Sequence, residues 1–220
     1  MSDRQVTYEA VVKETEAAGA VLVAVSKQRS HQKIMELYDW GQRDFGENRD
    51  TELMEKYHAL PKDIRWHFIG HLQRNKVKNI APFVHLIHAA DSLRLLREIN
   101  KQALVADREI SALLQFHIAQ EESKYGLDRQ KASELLKQLQ VEPLTNVRIA
   151  GVMGMATYTE NDEQIAGEFE ELSDTFGLLQ RQVFYDDEHF KEISMGMSGD
   201  YPIALEHGST LVRVGSLLFN

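Results

Sequence analysis

The stretch Val21-Leu22-Val23-Ala24-Val25-Ser26-Lys27 decides how this chain reads. It is short, apolar and rich in β-branched residues, as a strand buried on both faces has to be. A segment of helical spacing, 31–40, follows at once, and the same alternation recurs to the end of the chain. Strands are expected over 44–48, 65–71, 83–89, 110–118, 147–155, 192–197 and 210–216. Helices are expected over 50–59, 75–81, 92–106, 128–140, 161–180 and 201–206, and an additional helix, 6–18, precedes the first strand. Asp91 or Ser92, Asp128 and Asn161 stand where N-caps belong, with Gln164 placed for a capping box. Eight strands separated by helices have the count and order of a (β/α)8 TIM barrel in the α/β class. An open doubly wound sheet is the alternative. Closure is favoured by the strand count and by strand ends in polar or glycine residues that could converge on one rim.

Bulk properties narrow the function. The 220 residues suit one barrel domain spanning 1–220, with no Pro/Gly/Ser-rich linker and only four Pro. The formal net charge of −9 argues against broad nucleic-acid binding, though not against a local anion site built from backbone N–H groups. With no Cys there are no disulfides or thiolate metal sites. The opening MSDRQVTYEA lacks the layout of a signal peptide, and no apolar run has the length of a membrane span, so the expected location is the cytoplasm.

Lys27 is the first candidate. In a barrel, function sits at the C-terminal ends of the strands. Period two puts Val21, Val23, Val25 and Lys27 on one face, so an inward face would stand the amine above a dry apolar floor. Desolvation would then lower its pKa, as a Schiff-base lysine requires. Taken alone, the segment reads more readily as a solvated lysine just past a strand. The last two strands add Ser194-Met195-Gly196-Met197-Ser198-Gly199-Asp200 and Arg213-Val214-Gly215-Ser216. Small and hydroxylated residues there let backbone approach a phosphate, in the two loops where barrels often build such a site. Arg213 shares a face with Leu211 and Gly215, and a buried arginine needs an acceptor. A ring nitrogen or a buried carboxylate would serve, the latter as an ion pair spanning the barrel. An amine, a phosphate cradle and a ring-nitrogen donor together are what a pyridoxal 5'-phosphate (PLP) site requires.

Further segments carry a resemblance: Ala24-Val25-Ser26-Lys27, Phe45-Gly46-Glu47-Asn48, His67-Phe68-Ile69-Gly70-His71-Leu72-Gln73, Gly154-Met155-Ala156, Ile193 to Tyr201 and Gly208 to Gly215. Over nearly its whole length the chain resembles the YggS-type pyridoxal phosphate homeostasis proteins. These are a PLP-binding family whose barrel is shared with the N-terminal domain of alanine racemase. The resemblance implies Lys27 as the internal aldimine and Arg213 beside the pyridine nitrogen. It implies phosphate contacts from Ser194, Met195, Gly196, Met197, Ser198, Gly215 and Ser216, with Asn48 and Met153 lining the ring and His71 in the cofactor-binding set. Departures fall at Gln28-Arg29-Ser30 and at Gln115-Phe116-His117-Ile118, which leaves the role of His117 open.

The expected function is to carry and buffer PLP and release it to apo-enzymes, without catalysis. Racemases of this barrel type add a second domain with a tyrosine acid/base. Here the chain stops at Asn220, soon after the eighth strand, and Tyr125, Tyr158 and His71 are the rim candidates for that role. An arginine at the ring nitrogen keeps its proton and leaves the ring a weak electron sink. The alternatives are a racemase-like PLP enzyme and a regulatory protein that binds a partner through Arg74, Lys76 and Lys78. A closed barrel has no sheet edge, so a monomer is expected. No metal is expected either. His67 and His71 are about 13 Å apart along a strand, and His85 and His88 face opposite sides of theirs.

Overall fold

Eight parallel strands pair in chain order and the eighth returns to the first, giving the closed barrel expected. The computed structural model describes residues 2–121 and 125–219. Its elements are α1 (Asp3–Ala17), β1 (Val21–Val25), α2 (His31–Asp39), β2 (Asp44–Glu47), α3 (Asp50–Ala59), β3 (Arg65–Phe68), α4 (Val77–Ile80), β4 (Leu86–Ala90) and α5 (Leu93–Val105). There follow β5 (Ile110–Gln115), α6 (Arg129–Val141), β6 (Val147–Met153), α7 (Asp162–Gln182), β7 (Glu192–Ser194), α8 (Tyr201–Glu206), β8 (Leu211–Val214) and α9 (Ser216–Phe219). Closure is made by β1 and β8, with Val21 opposite Leu211 and Ala24 opposite Val214.

Side-chain caps start the main helices. Ser2, Ser30, Ser92, Asp128 and Asn161 each accept from the backbone N–H three residues on. Ser92, not Asp91, caps α5. The capping box at Asn161 is one-sided, because the Gln164 amide reaches forward to Glu168. A 3-10 turn, Arg74–Lys76, leads into α4, where one helix was expected, and α9 was not expected at all.

Alternation along the strands sorts two layers. Leu22, Ala24, Phe45, Trp66, Phe68, Val212 and Val214 face outward into the large core beneath the helices. Val23, Leu86, Ala89, Leu113, Ala150, Met153 and Leu211 form a smaller apolar cluster inside the barrel. Polar side chains share that interior: Asp44, His67, His88, Ser194 and Arg213 are all buried. The expected dry apolar floor is therefore corrected to a floor with a polar half.

Seven of the eight strands end one to three residues earlier than the sequence predicts. Their apolar C-terminal tips have strand-like composition, but they leave the ladder to form the rim. Among the described residues, no helix is long and apolar enough to cross a membrane.

Candidate functional site

A cleft of about 910 Å³ opens at the C-terminal ends of the strands. Of the residues expected to act, Lys27, Asn48, His71, Met197, Ser198, Arg213, Gly215 and Ser216 line it. They come from the ends of β1, β2, β3, β7 and β8, so barrel closure is what gathers them.

Lys27 sits in a tight turn after β1. Arg29 N–H donates to the Ser26 carbonyl at 3.0 Å, and Gln28 adopts φ +59°. A buried ionic network beneath the turn holds it, and the sequence reading did not anticipate it. Lys56 on α3 donates to the Ser26 carbonyl and to Glu47 Oε1, both at 2.7 Å, and to Glu52 Oε1 at 2.6 Å. Ser26 Oγ donates to the same Glu47 oxygen at 2.6 Å, while Gln28 N–H donates to Glu52. Burial pushes the Glu47 carboxyl up, and the Lys56 and Ser26 hydrogen bonds pull against it. The quoted Phe45-Gly46-Glu47-Asn48 segment was the available signal, but its carboxylate points outward to α3, away from the cleft. Lys27 itself is exposed at the rim, which overturns the expectation that the floor desolvates it.

Arg213 projects inward from β8, as its period predicted, and only 4% of it is exposed. Its guanidinium donates to Ser194 Oγ at 2.6 Å and to the Gly154 carbonyl at 3.0 Å. Neither is the carboxylate that an ion pair spanning the barrel would need. A guanidinium has five N–H donors, and Arg213 also borders the cleft, so donors remain for a ligand there. Burial pulls its pKa down to about 10, with Asp200 acting the other way. That is lower than the expected value, yet the group stays a cation at neutral pH.

Four expected contacts lie outside the cleft lining. Ser194 is fully buried, and its hydroxyl is engaged by Arg213 and by His88 Nδ1 at 2.8 Å. Met153 packs inside the barrel and Met195 beneath the helices. Gly196 turns the chain at φ +91°, and its carbonyl accepts from Arg213 N–H at 2.9 Å. Met153 ends β6 with its side chain turned into the barrel, and the other three share one reason. β7 ends at Ser194, so the residues just beyond it build the floor and the wall, and only from Met197 onward does the loop face the cleft.

Above that floor, Ser198 Oγ accepts from Gly215 N–H at 3.1 Å. A Cβ on Gly215 would lie 3.2 Å from Val25 Cβ and 3.3 Å from the Val25 carbonyl, so glycine lets the ends of β1 and β8 come together here. Opposite, His71 stacks on Tyr125 with ring centroids 4.1 Å apart, and its Nδ1 lies 3.4 Å from Asp91. Gln115, fully inside the wall, donates to the Tyr125 carbonyl at 3.0 Å and lines the cleft, a role the sequence reading did not give it. Tyr158 is 97% exposed, and His117 borders a separate, smaller cavity. In the basic cluster, Lys76 pairs with Asp50 at 3.5 Å.

The histidines correct another expectation. His67 stands between His85 and His88, with ring centroids 5.3 and 5.2 Å away. His85 precedes β4, and the β4–β5 register shifts between Ile87 and Ala90, so strict alternation does not place the pair. Asp44, His67 and His85 bring ligand atoms within 4.8 Å of one another, as a metal site could. Arg65, however, already grips both oxygens of Asp44.

Comparison with known proteins agrees with this architecture. The family described as alanine racemase, N-terminal domain, matches residues 7–220. A pyridoxal phosphate homeostasis protein of Aquifex aeolicus is 38% identical over 217 residues, covering 96% of this chain and 93% of that protein. Its Homo sapiens namesake is 32% identical over 215 residues, covering 90% and 75%. The structure of PipY from Synechococcus elongatus with PLP bound superposes with a TM-score of 0.88 at 31% identity, covering 99% of this chain and 100% of that one. Alanine racemase from Bartonella henselae has a TM-score of 0.70 at 17% identity, covering 96% and 59%, which shows a shared fold alone.

Proposed function

Because the chain belongs to the pyridoxal phosphate homeostasis proteins of the alanine racemase N-terminal-domain family, we propose that it binds PLP in the rim cleft and carries it, with Lys27 as the covalent attachment point. PLP supplies an aldehyde that condenses reversibly with an amine. The observation that carries the reading is the convergence, in one cleft, of the Lys27 amine, the Arg213 guanidinium and the Ser198–Gly215 corner.

The residues present fit that group. Gly215 leaves room at the β1–β8 junction that a Cβ would fill. Ser198 and Ser216 offer hydroxyl and backbone N–H donors for a phosphate beside Met197 and Gly215, whose own N–H groups donate to Asp200 and Ser198, with Ser194, Met195 and Gly196 shaping the wall behind them. Arg213 presents N–H donors to a ring nitrogen. Asn48 and His71 line the other side of the cleft, and Met153 packs below.

A carrier role suits these groups better than catalysis. Arg213 keeps its proton at neutral pH, so it offers a hydrogen bond and withholds the full protonation that carbanion chemistry draws on. Tyr158 and Tyr125 both border the cleft, but Tyr158 is almost wholly exposed and Tyr125 is stacked flat on His71, an arrangement that favours neither as an acid/base held at the amine. Reversible attachment at an exposed lysine allows handover to apo-enzymes by a monomeric barrel in the cytoplasm.

Borohydride reduction of the PLP-loaded protein followed by peptide mass mapping tests the assignment. The adduct is expected on Lys27 and absent from Lys27→Ala. Full-strength absorbance of lysine-bound cofactor in Lys27→Ala would overturn it. Incorporation of solvent deuterium at the Cα of any amino acid would replace the carrier reading with an enzymatic one.

A further inference from the structure

The polar half of the barrel interior extends well below the cleft. His67 Nε2 lies 3.0 Å from Asp44 Oδ1, His67 Nδ1 lies 2.9 Å from His88 Nε2, and His88 Nδ1 lies 2.8 Å from Ser194 Oγ. Arg213 completes the row by donating to Ser194 at 2.6 Å. Asp44 opens β2 and Ser194 closes β7, so the row crosses the barrel from the pole opposite the cleft to the cleft floor.

We propose that Asp44 is a remote positioning residue: its carboxylate dictates which nitrogen of His67 and of His88 carries the proton, and so makes Ser194 a hydrogen-bond donor to His88 and an acceptor for Arg213. The proposal rests on the reading that Arg213 faces the ligand in the cleft.

The direction of every bond follows from the two ends. An ionised carboxylate only accepts, so His67 Nε2 has to carry the proton toward Asp44. Arg65 already balances the Asp44 charge, and a second cation at buried His67 would be in excess. His67 is therefore a neutral ring whose Nδ1 accepts. His88 Nε2 has to donate to it. Complete burial keeps His88 neutral as well, so its Nδ1 accepts and the Ser194 hydroxyl has to donate. The Ser194 lone pairs then face Arg213, which can only donate. All protons point from Arg213 toward Asp44, and each bond is satisfied.

Asp44→Ala makes the sharp test. Arg65 Nε and His67 Nε2 share Asp44 Oδ1, so an asparagine that keeps its oxygen there would leave the row unchanged. Alanine removes the acceptor. Each direction of the row then strands one buried proton, on His67 Nε2 or on the Ser194 hydroxyl, so both directions become populated.

The measurement is a long-range proton–nitrogen spectrum of cofactor-free protein with 15N-labelled histidine. In the wild type, both His67 and His88 are expected protonated at Nε2 and bare at Nδ1. In Asp44→Ala both rings are expected to show protonation at Nδ1 as well as at Nε2, and Asp44→Glu, which keeps an accepting carboxylate, retains the wild-type assignment. After PLP loading, the absorbance maximum is expected to shift in Asp44→Ala and in Ser194→Ala, while the adduct still maps to Lys27. A wild-type His67 or His88 protonated at Nδ1 would overturn the proposal even if the alanine variant did not fold. So would unchanged tautomers in that variant. Loss of the Lys27 adduct in the wild type would sink the cofactor reading instead, and the tautomer result would be unaffected.

Discussion

The Lys56 ammonium lies 2.7 Å from the Glu47 carboxylate, with essentially none of either side chain exposed. The pair clamps α3 to the end of β2, and through the Ser26 carbonyl it also holds the turn that carries Lys27. Glu47 Oε2 is buried with no hydrogen-bond partner among the described residues, so the carboxylate depends on this one cation.

Lys56→Met is expected to cost about 3–5 kcal/mol, because it leaves a buried charge unpaired. Adding Glu47→Gln to that variant should recover a large part of the loss. Urea unfolding of the three proteins checks both statements. The lysine-bound cofactor signal should fall in Lys56→Met along with the order of the turn.

Asp44 links stability to acid. Burial alone would raise its pKa, but the hydrogen bonds from His67 and Arg65 outweigh burial and hold it at about 2. The folded value is below the unfolded one, so the stabilisation is fully present above about pH 4 and fades as pH falls toward 2. It amounts to roughly 2 kcal/mol by linkage. The stability gap between wild type and Asp44→Asn should therefore close over that interval in urea titrations.

His88 adds a second slope at milder pH. Burial first, and the Arg213 charge with it, keep the folded pKa well below 6.5. The unfolded chain takes up a proton near pH 6.5 that the folded one refuses, so stability drops as pH falls below that value. The slope approaches about 1.4 kcal/mol per pH unit for one proton. His88→Gln should lose this component, as read from unfolding free energies at pH 7.5, 6 and 5.

Two neighbouring glycines should respond oppositely. Gly196 has φ +91°, and a Cβ there would come within 2.6 Å of Ala204 Cβ. Gly196→Ala is expected to destabilise by about 2 kcal/mol or more, combining backbone strain with overlap. Gly199 has open space around its Cβ position, and Gly199→Ala should fall within about 0.5 kcal/mol of wild type. Thermal unfolding of the two variants separates these outcomes.

The sequence by itself determined the alternation of strands and helices, the caps at Ser92, Asp128 and Asn161, and the placing of Lys27, Ser198 and Gly215 at the ends of β1, β7 and β8. These are local properties: periodicity, capping chemistry and the small residues that a close backbone approach demands. The strand ends were overrun at residues such as Ile69, Phe116 and Met195, because an apolar residue on the rim looks like an apolar residue in the ladder. Only the tertiary structure decided that Lys27 is exposed, that Ser194 serves the barrel floor, and that Glu47 answers to Lys56 on a neighbouring helix. Period two tells which face of a strand a side chain takes, but not which strand it will meet across the barrel. Asp44, His67, His88, Ser194 and Arg213 form one hydrogen-bonded row because closure and the β4–β5 register shift bring five strands to one interior, and no local pattern in the chain records that meeting.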